Sequence, residues 1–178
     1  MKYVRRFRAI IIVILIPVII AVLALFIGWP LPPDPMSLQR IEYRFRDSSV
    51  PPEYHRSYTI IATPQEATIV VDSYGDILAE ERYIITEQQF RAIGQSLVDN
   101  RIRYAPLSFL FRENDCEGGT RETVVYSDGN KKLFRAYGAR PNTRGECGYG
   151  LLDGNIEKFS SDIRQLIPDF DTLTEVSL

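Results

Sequence analysis

Thr68-Ile-Val-Val-Asp-Ser-Tyr-Gly75 is a run of β-forming residues that enters a polar turn, and Thr123-Val-Val-Tyr-Ser-Asp-Gly129 repeats that order with one deletion. Ile, Val and Thr suit a pleated, half-buried surface. Asp, Ser and Gly supply the backbone conformations of a turn. The first stretch therefore reads as a strand, a turn over residues 72–76 and a return strand that lasts through Ile85. The second reads as a strand over Thr123-Val-Val-Tyr126, a hairpin turn at Ser127-Asp-Gly-Asn130 and a return strand over residues 133–137.

A helical pattern follows each hairpin. Thr86-Glu-Gln-Gln89 has the form of a capping box, in which the Thr hydroxyl and the Gln side chain satisfy each other's backbone N–H groups. Phe90, Ile93 and Leu97 then recur at helical spacing up to Asn100, with Gly94 as a weak point. After a glycine-rich loop, Ile156, Phe159, Ile163, Leu166 and Ile167 mark a second helix, which Pro168 stops. The order is ββα twice, the mark of a duplication.

Upstream, Arg40-Ile-Glu-Tyr-Arg-Phe-Arg46 alternates apolar and charged residues, the signature of a half-buried strand. Residues 58–62 read as another strand, and residues 48–53, with two prolines, as a loop. Each helix has one apolar stripe to bury, and a sheet provides the surface. The fold class is α+β: one small domain, residues 38–178, with an antiparallel sheet and two helices on one face.

Residues 9–28 are 20 consecutive residues without a charge, nearly all Ile, Val, Leu, Ala or Phe. At about 1.5 Å per residue such a helix spans about 30 Å, the thickness of a bilayer's hydrocarbon core. Pro17 is tolerated within such a helix, and Trp29 falls where an interfacial aromatic anchor would sit. Lys2, Arg5, Arg6 and Arg8 precede the span, while the residues after it carry both signs. The positive-inside rule then leaves residues 1–8 in the cytoplasm and the domain in the periplasm or outside the cell. A cleaved signal peptide would have a shorter apolar region and a small-x-small cleavage site. Phe26-Ile-Gly-Trp-Pro30 offers none, so residues 9–29 read as an uncleaved signal anchor, and the proline-rich residues 30–37 as an extended linker.

Those four cations are taken from a total of 21, leaving 17 basic residues against 23 acidic ones in the remainder. Nucleic-acid affinity comes mainly from neutralising phosphates with Lys and Arg, so an acidic domain excludes that class.

Cys116 and Cys147 are the only cysteines. In an oxidising compartment a pair in a small domain implies a disulfide. Closing a loop of about 30 residues would stabilise by roughly 3–4 kcal/mol in the chain-entropy model. A nucleophilic Cys would need a base beside it, and nothing in the chain brings His55, the single histidine, near either one.

Other constellations are weak. Glu113-Asn-Asp-Cys-Glu-Gly-Gly-Thr120 is rich in oxygen ligands, and a calcium-dependent module would centre on Asp115 and Glu117. It lacks the EF-hand spacing, however, and a polar, glycine-shaped turn accounts for it. Gly145-Glu-Cys-Gly-Tyr-Gly150 matches neither a dinucleotide fingerprint nor a Walker loop. Lys131, Lys132, Arg135, Arg140 and Arg144 suit a solvated hairpin edge. Phe109, Leu110 and Phe111 suit a buried strand. Glu80 and Glu81 are adjacent in a strand and point to opposite faces, so they cannot flank one bond.

The sequence therefore assigns no catalytic, metal or cofactor residue. It leads to a single-pass, membrane-anchored, non-enzymatic module that binds a protein or another component of the envelope. The alternatives are a hydrolase of envelope polymers, with carboxylates gathered by the fold, and the calcium-dependent module.

Overall fold

The computed structural model describes residues 16–17, 33–104, 120–129, 132–139 and 152–175, with the backbone alone for 103–104, 132–139 and 152–153. Of the expected membrane anchor only Ile16 and Pro17 fall among these, and both are helical. Among the described residues no helix is long and apolar enough to cross a membrane. Cys116, Cys147, Asp115, Glu117, Phe109 to Phe111 and the 145–150 loop lie outside the described residues.

The fold is α+β. Strands β1 (Arg40–Arg46), β2 (Ser57–Ala62), β3 (Glu66–Ser73) and β4 (Asp76–Ile84) are followed by helix α1 (Glu87–Asp99). Then come β5 (Arg103–Tyr104), β6 (Arg121–Ser127), β7 (Lys132–Ala139), β8 (Leu152–Asp153), α2 (Ile156–Arg164) and α3 (Phe170–Thr174). Six strands form one antiparallel sheet in the order β4-β3-β2-β1-β6-β7, and β5 and β8 form a two-stranded ribbon.

Alternation sorts the side chains. Ile41 and Tyr43, Tyr58, Ile60 and Ala62, Ala67, Ile69 and Val71, and Val124 and Tyr126 are buried on one face. They share a core with Phe90, Ile93 and Leu97 of α1 and Phe159 and Ile163 of α2. Tyr43 meets Phe159 edge to face, and Tyr58 meets Phe170 of α3 in the same way. The other face carries Glu42, Arg44, Thr59, Ile61, Thr68 and Val70, each half-buried.

The capping box at α1 is formed: Gln89 N–H donates to Thr86 Oγ1 at 3.2 Å, and Thr86 N–H donates to Gln89 Oε1 at 2.8 Å. Gly94 has a packing reason. A Cβ there would approach Leu38 Cδ1 at 3.3 Å and Pro35 Cβ at 3.4 Å, so glycine lets the entering chain lie against the helix. Arg91 secures the same stretch by donating to the carbonyls of Pro35 and Leu38, each at 2.9 Å. The last residues of the linker are thus held on the domain.

The second helix ends sooner than its apolar pattern. α2 closes at Arg164, Leu166 and Ile167 are buried beyond it, and α3 forms after Pro168 as a third helix. Apolar spacing alone did not separate a helix from the turn that continues its buried face.

The two hairpins share one register. Ile69 pairs with Glu81 and Val124 with Ala136; Asp72 pairs with Ile77 and Ser127 with Lys132. The register slips between Val71 and Asp72 in one hairpin and between Tyr126 and Ser127 in the other. Each second residue lies 55 positions after its counterpart, as do Thr123 after Thr68 and Gly129 after Tyr74. The correspondence runs through the bulge and into the turn without the deletion expected from sequence. The central pair Tyr43–Ile60 continues the match, because Ile60 pairs with Ile69 and Tyr43 with Val124.

Candidate functional site

The turn between β3 and β4 is two residues long, with φ of 53° at Tyr74 and 100° at Gly75. Positive φ at both positions is the type I′ geometry, which favours Asn-Gly. An L-residue other than glycine carries a cost of roughly 1–2 kcal/mol there. The corresponding position in the other hairpin is Gly129, at φ 96°. A tyrosine in this conformation needs support, and the loop between β1 and β2 supplies it.

His55 is the centre of that support and is 5% exposed. Its ring stacks on the Tyr74 ring with centroids 3.9 Å apart. Its Nδ1 accepts the Tyr74 N–H at 3.3 Å, and its Nε2 lies 3.3 Å from Ser57 Oγ. Tyr74 Oη donates to the Val50 carbonyl at 2.6 Å, and Ser73 Oγ donates to the Pro52 carbonyl at 2.8 Å. The proline-containing loop is therefore a brace. Although fixed on one side, Tyr74 remains 58% exposed.

A serine beside a histidine invites a nucleophile reading, and the hydrogen bonds oppose it. A backbone N–H can only donate, so Nδ1 is the acceptor and the neutral ring carries its proton on Nε2. Ser57 Oγ then accepts from Nε2–H, and it also accepts the Asp47 N–H at 3.0 Å. Activation of a serine needs the reverse arrangement, an unprotonated imidazole nitrogen that takes the hydroxyl proton.

Beside the turn an open groove of about 350 Å³ lies on the face opposite the helices, lined by Arg44, Arg46, Thr59, Asp72, Tyr74 and Ile77 among others. Cross-strand register brings these together: Arg44 opposes Thr59, Thr59 opposes Val70, and Asp72 opposes Ile77. Arg44 is occupied, with Nε donating to Thr59 Oγ1 at 3.2 Å and Nη2 3.3 Å from Glu42 Oε1. Asp72 Oδ1 accepts the Gly75 N–H at 3.0 Å. Arg46 is exposed and makes no ion pair among the described residues. The groove thus offers a guanidinium, hydroxyls and a fixed aromatic ring.

A second polar cluster is closed to solvent. Glu122, 1% exposed, accepts a hydrogen bond from Tyr43 Oη. Burial, with the neighbouring Tyr58 and Glu122, pushes the Tyr43 phenol far above its ordinary value. Burial also raises Tyr58, while Arg164, whose guanidinium lies 5.6 Å from the Tyr58 ring centre, works the other way. Tyr58 Oη and Arg164 Nε have no well-formed hydrogen bond among the described residues. Tyr126, on β6 with β1 between it and the strand of Tyr58, is pushed up to about 12 by burial. This cluster is core, with no access for a substrate.

Of the residues singled out from sequence, His55 has a definite place and it is structural. Glu80 and Glu81 stand exposed on β4. Lys132 and Arg135 lie on β7, where only the backbone is described. Among the described residues no group of three or more His, Cys, Asp or Glu could hold a metal. Sequence reasoning missed Tyr74, Arg44 and Arg46 as a set; the available signal was a tyrosine in a turn position suited to glycine or asparagine.

No family model matches this chain, and neither a curated protein nor a solved structure does.

Proposed function

We propose that the chain is a single-pass membrane protein whose domain stands outside the cytoplasm and acts as a non-enzymatic binding module. Its ligand is a carboxylate-bearing segment of an envelope protein, seated in the groove beside Tyr74. The anchor in residues 9–29, the four preceding cations and the Cys116–Cys147 disulfide belong to this reading. So does a ββα duplication, supported by the shared register of the hairpins.

The observation that carries the proposal is Tyr74. Its φ of 53° costs stability that a glycine would spare, and a buried histidine is dedicated to holding it. Such expense makes sense where the ring has work to do at the surface. Arg46 supplies a charge-assisted, bidentate partner for a carboxylate, and Tyr74 and Ile77 supply apolar contact. The proton arrangement at Ser57 and the opposed directions of Glu80 and Glu81 favour binding over hydrolysis. Tethering keeps module and partner at high effective concentration, so modest affinity suffices.

The test is a photo-crosslinking residue at Ile77 of the full-length protein in its own membrane. A discrete adduct is expected that disappears with Arg46→Glu or Tyr74→Gly. An adduct insensitive to both changes, or none, overturns the proposal.

A further inference from the structure

β4 is an edge of the six-stranded sheet, with β3 on one side and no described strand on the other, whereas β7 at the opposite edge lies beside the β5–β8 ribbon. Its N–H and C=O groups on the open side form a template for another strand. The side chains are unusually open: Glu80, Glu81 and Arg82 are exposed, and Ile84 is 94% exposed.

We propose that β4 pairs antiparallel with β4 of a second copy, centred on Glu81, so that the two sheets become one. Two-fold pairing in a continuous sheet keeps each face on its own side, so opposed residues share a face and the register centres on a residue. Centring on Glu80 would oppose like carboxylates and leave Arg82 against Leu78. Centring on Arg82 would oppose two guanidiniums and leave Glu80 against Ile84. Only the centre at Glu81 places Glu80 opposite Arg82 twice, on the face away from the helices. It also sets Ala79 opposite Tyr83 on the helix side.

Arg82 is positioned for this role. Its Nη1 lies 3.4 Å from Glu66 Oε2, and the side chain remains 67% exposed, so the guanidinium can also reach a carboxylate from the second copy. The irregularity opposite Val71 and Asp72 falls at Leu78 and confines regular pairing to residues 79–83. A closed two-fold contact also consumes both edges and does not propagate into fibres. One unfavourable element remains, Glu81 directly opposite its own copy.

That element makes the test specific. The full-length chain is reconstituted in detergent micelles, and its self-association is followed by light scattering over a range of protein concentrations. Glu80→Arg should weaken the dimer by roughly tenfold, since two attractive pairs become repulsive. Glu80→Arg combined with Arg82→Glu should restore it, and Glu81→Gln should tighten it. A chain that stays monomeric even as Glu81→Gln, or a dimer that Glu80→Arg leaves unchanged, overturns the proposal. Circular dichroism of each variant separates loss of pairing from loss of fold.

Discussion

At Tyr74 the costs of conformation and the benefits of contact can be separated by substitution. His55→Ala removes the acceptor of the Tyr74 N–H, the neighbour of Ser57 Oγ and the stacked ring at once. Leaving buried polar groups unpaired costs about 1–3 kcal/mol each, so urea denaturation should show His55→Ala destabilised by at least that much. Tyr74→Gly behaves differently. It loses the stacking and the bond to Val50 but relieves a strain of roughly 1–2 kcal/mol, and stability should stay within about 1 kcal/mol of the parent while ligand capture is lost. If Tyr74→Gly destabilises as much as His55→Ala, the ring is a strut and the binding role fails. The histidine itself was visible in the sequence, but its partner is 19 positions away. Only the fold brings the two together.

Among the elements, the contact between α1 and α2 is fixed by a polar link as well as by the core. Ser96 Oγ donates to Asp162 Oδ2 at 2.7 Å, and Asp162 also pairs with Lys158 one turn earlier. Burial alone would raise the Asp162 carboxyl, but the hydrogen bonds from Lys158 and Ser96 outweigh it and hold the group below its usual value. A depressed folded-state value contributes stability that is present above the ordinary carboxylate pKa of 3.8 and lost as pH falls through the lowered one. Ser96→Ala should therefore cost about 1–2 kcal/mol near neutral pH, and the gap to the parent should close in acid. A gap that does not change with pH would show that the hydroxyl serves packing rather than the carboxylate.

The same scale shows what a sequence can and cannot convey. Alternation at Ile41, Tyr43 and Phe45, and the Thr86–Gln89 box, are local and were legible. The placement of β1 beside β6 is not local; periodicity tells which face a residue occupies, never which strand lies next to it. Glu122 shares the parity of Val124 and Tyr126, so its inward direction was readable, whereas the Tyr43 hydroxyl that meets it comes from 79 positions earlier. The groove is assembled from four strands and a turn, and no stretch of chain announces it.

As a whole, the chain combines an apolar, charge-free stretch at residues 9–28 with an acidic remainder that carries the braced aromatic groove. In the proposed topology that stretch spans a membrane, and the cations before it fix the side on which the domain stands. The proposed disulfide, the proposed envelope partner and the gain from tethering all depend on that side. The most direct measurement is the fate of a tag fused after Leu178 when protease is added to intact cells or spheroplasts. The tag is expected to be digested while a cytoplasmic control protein survives. A tag protected until the membrane is lysed would contradict that topology.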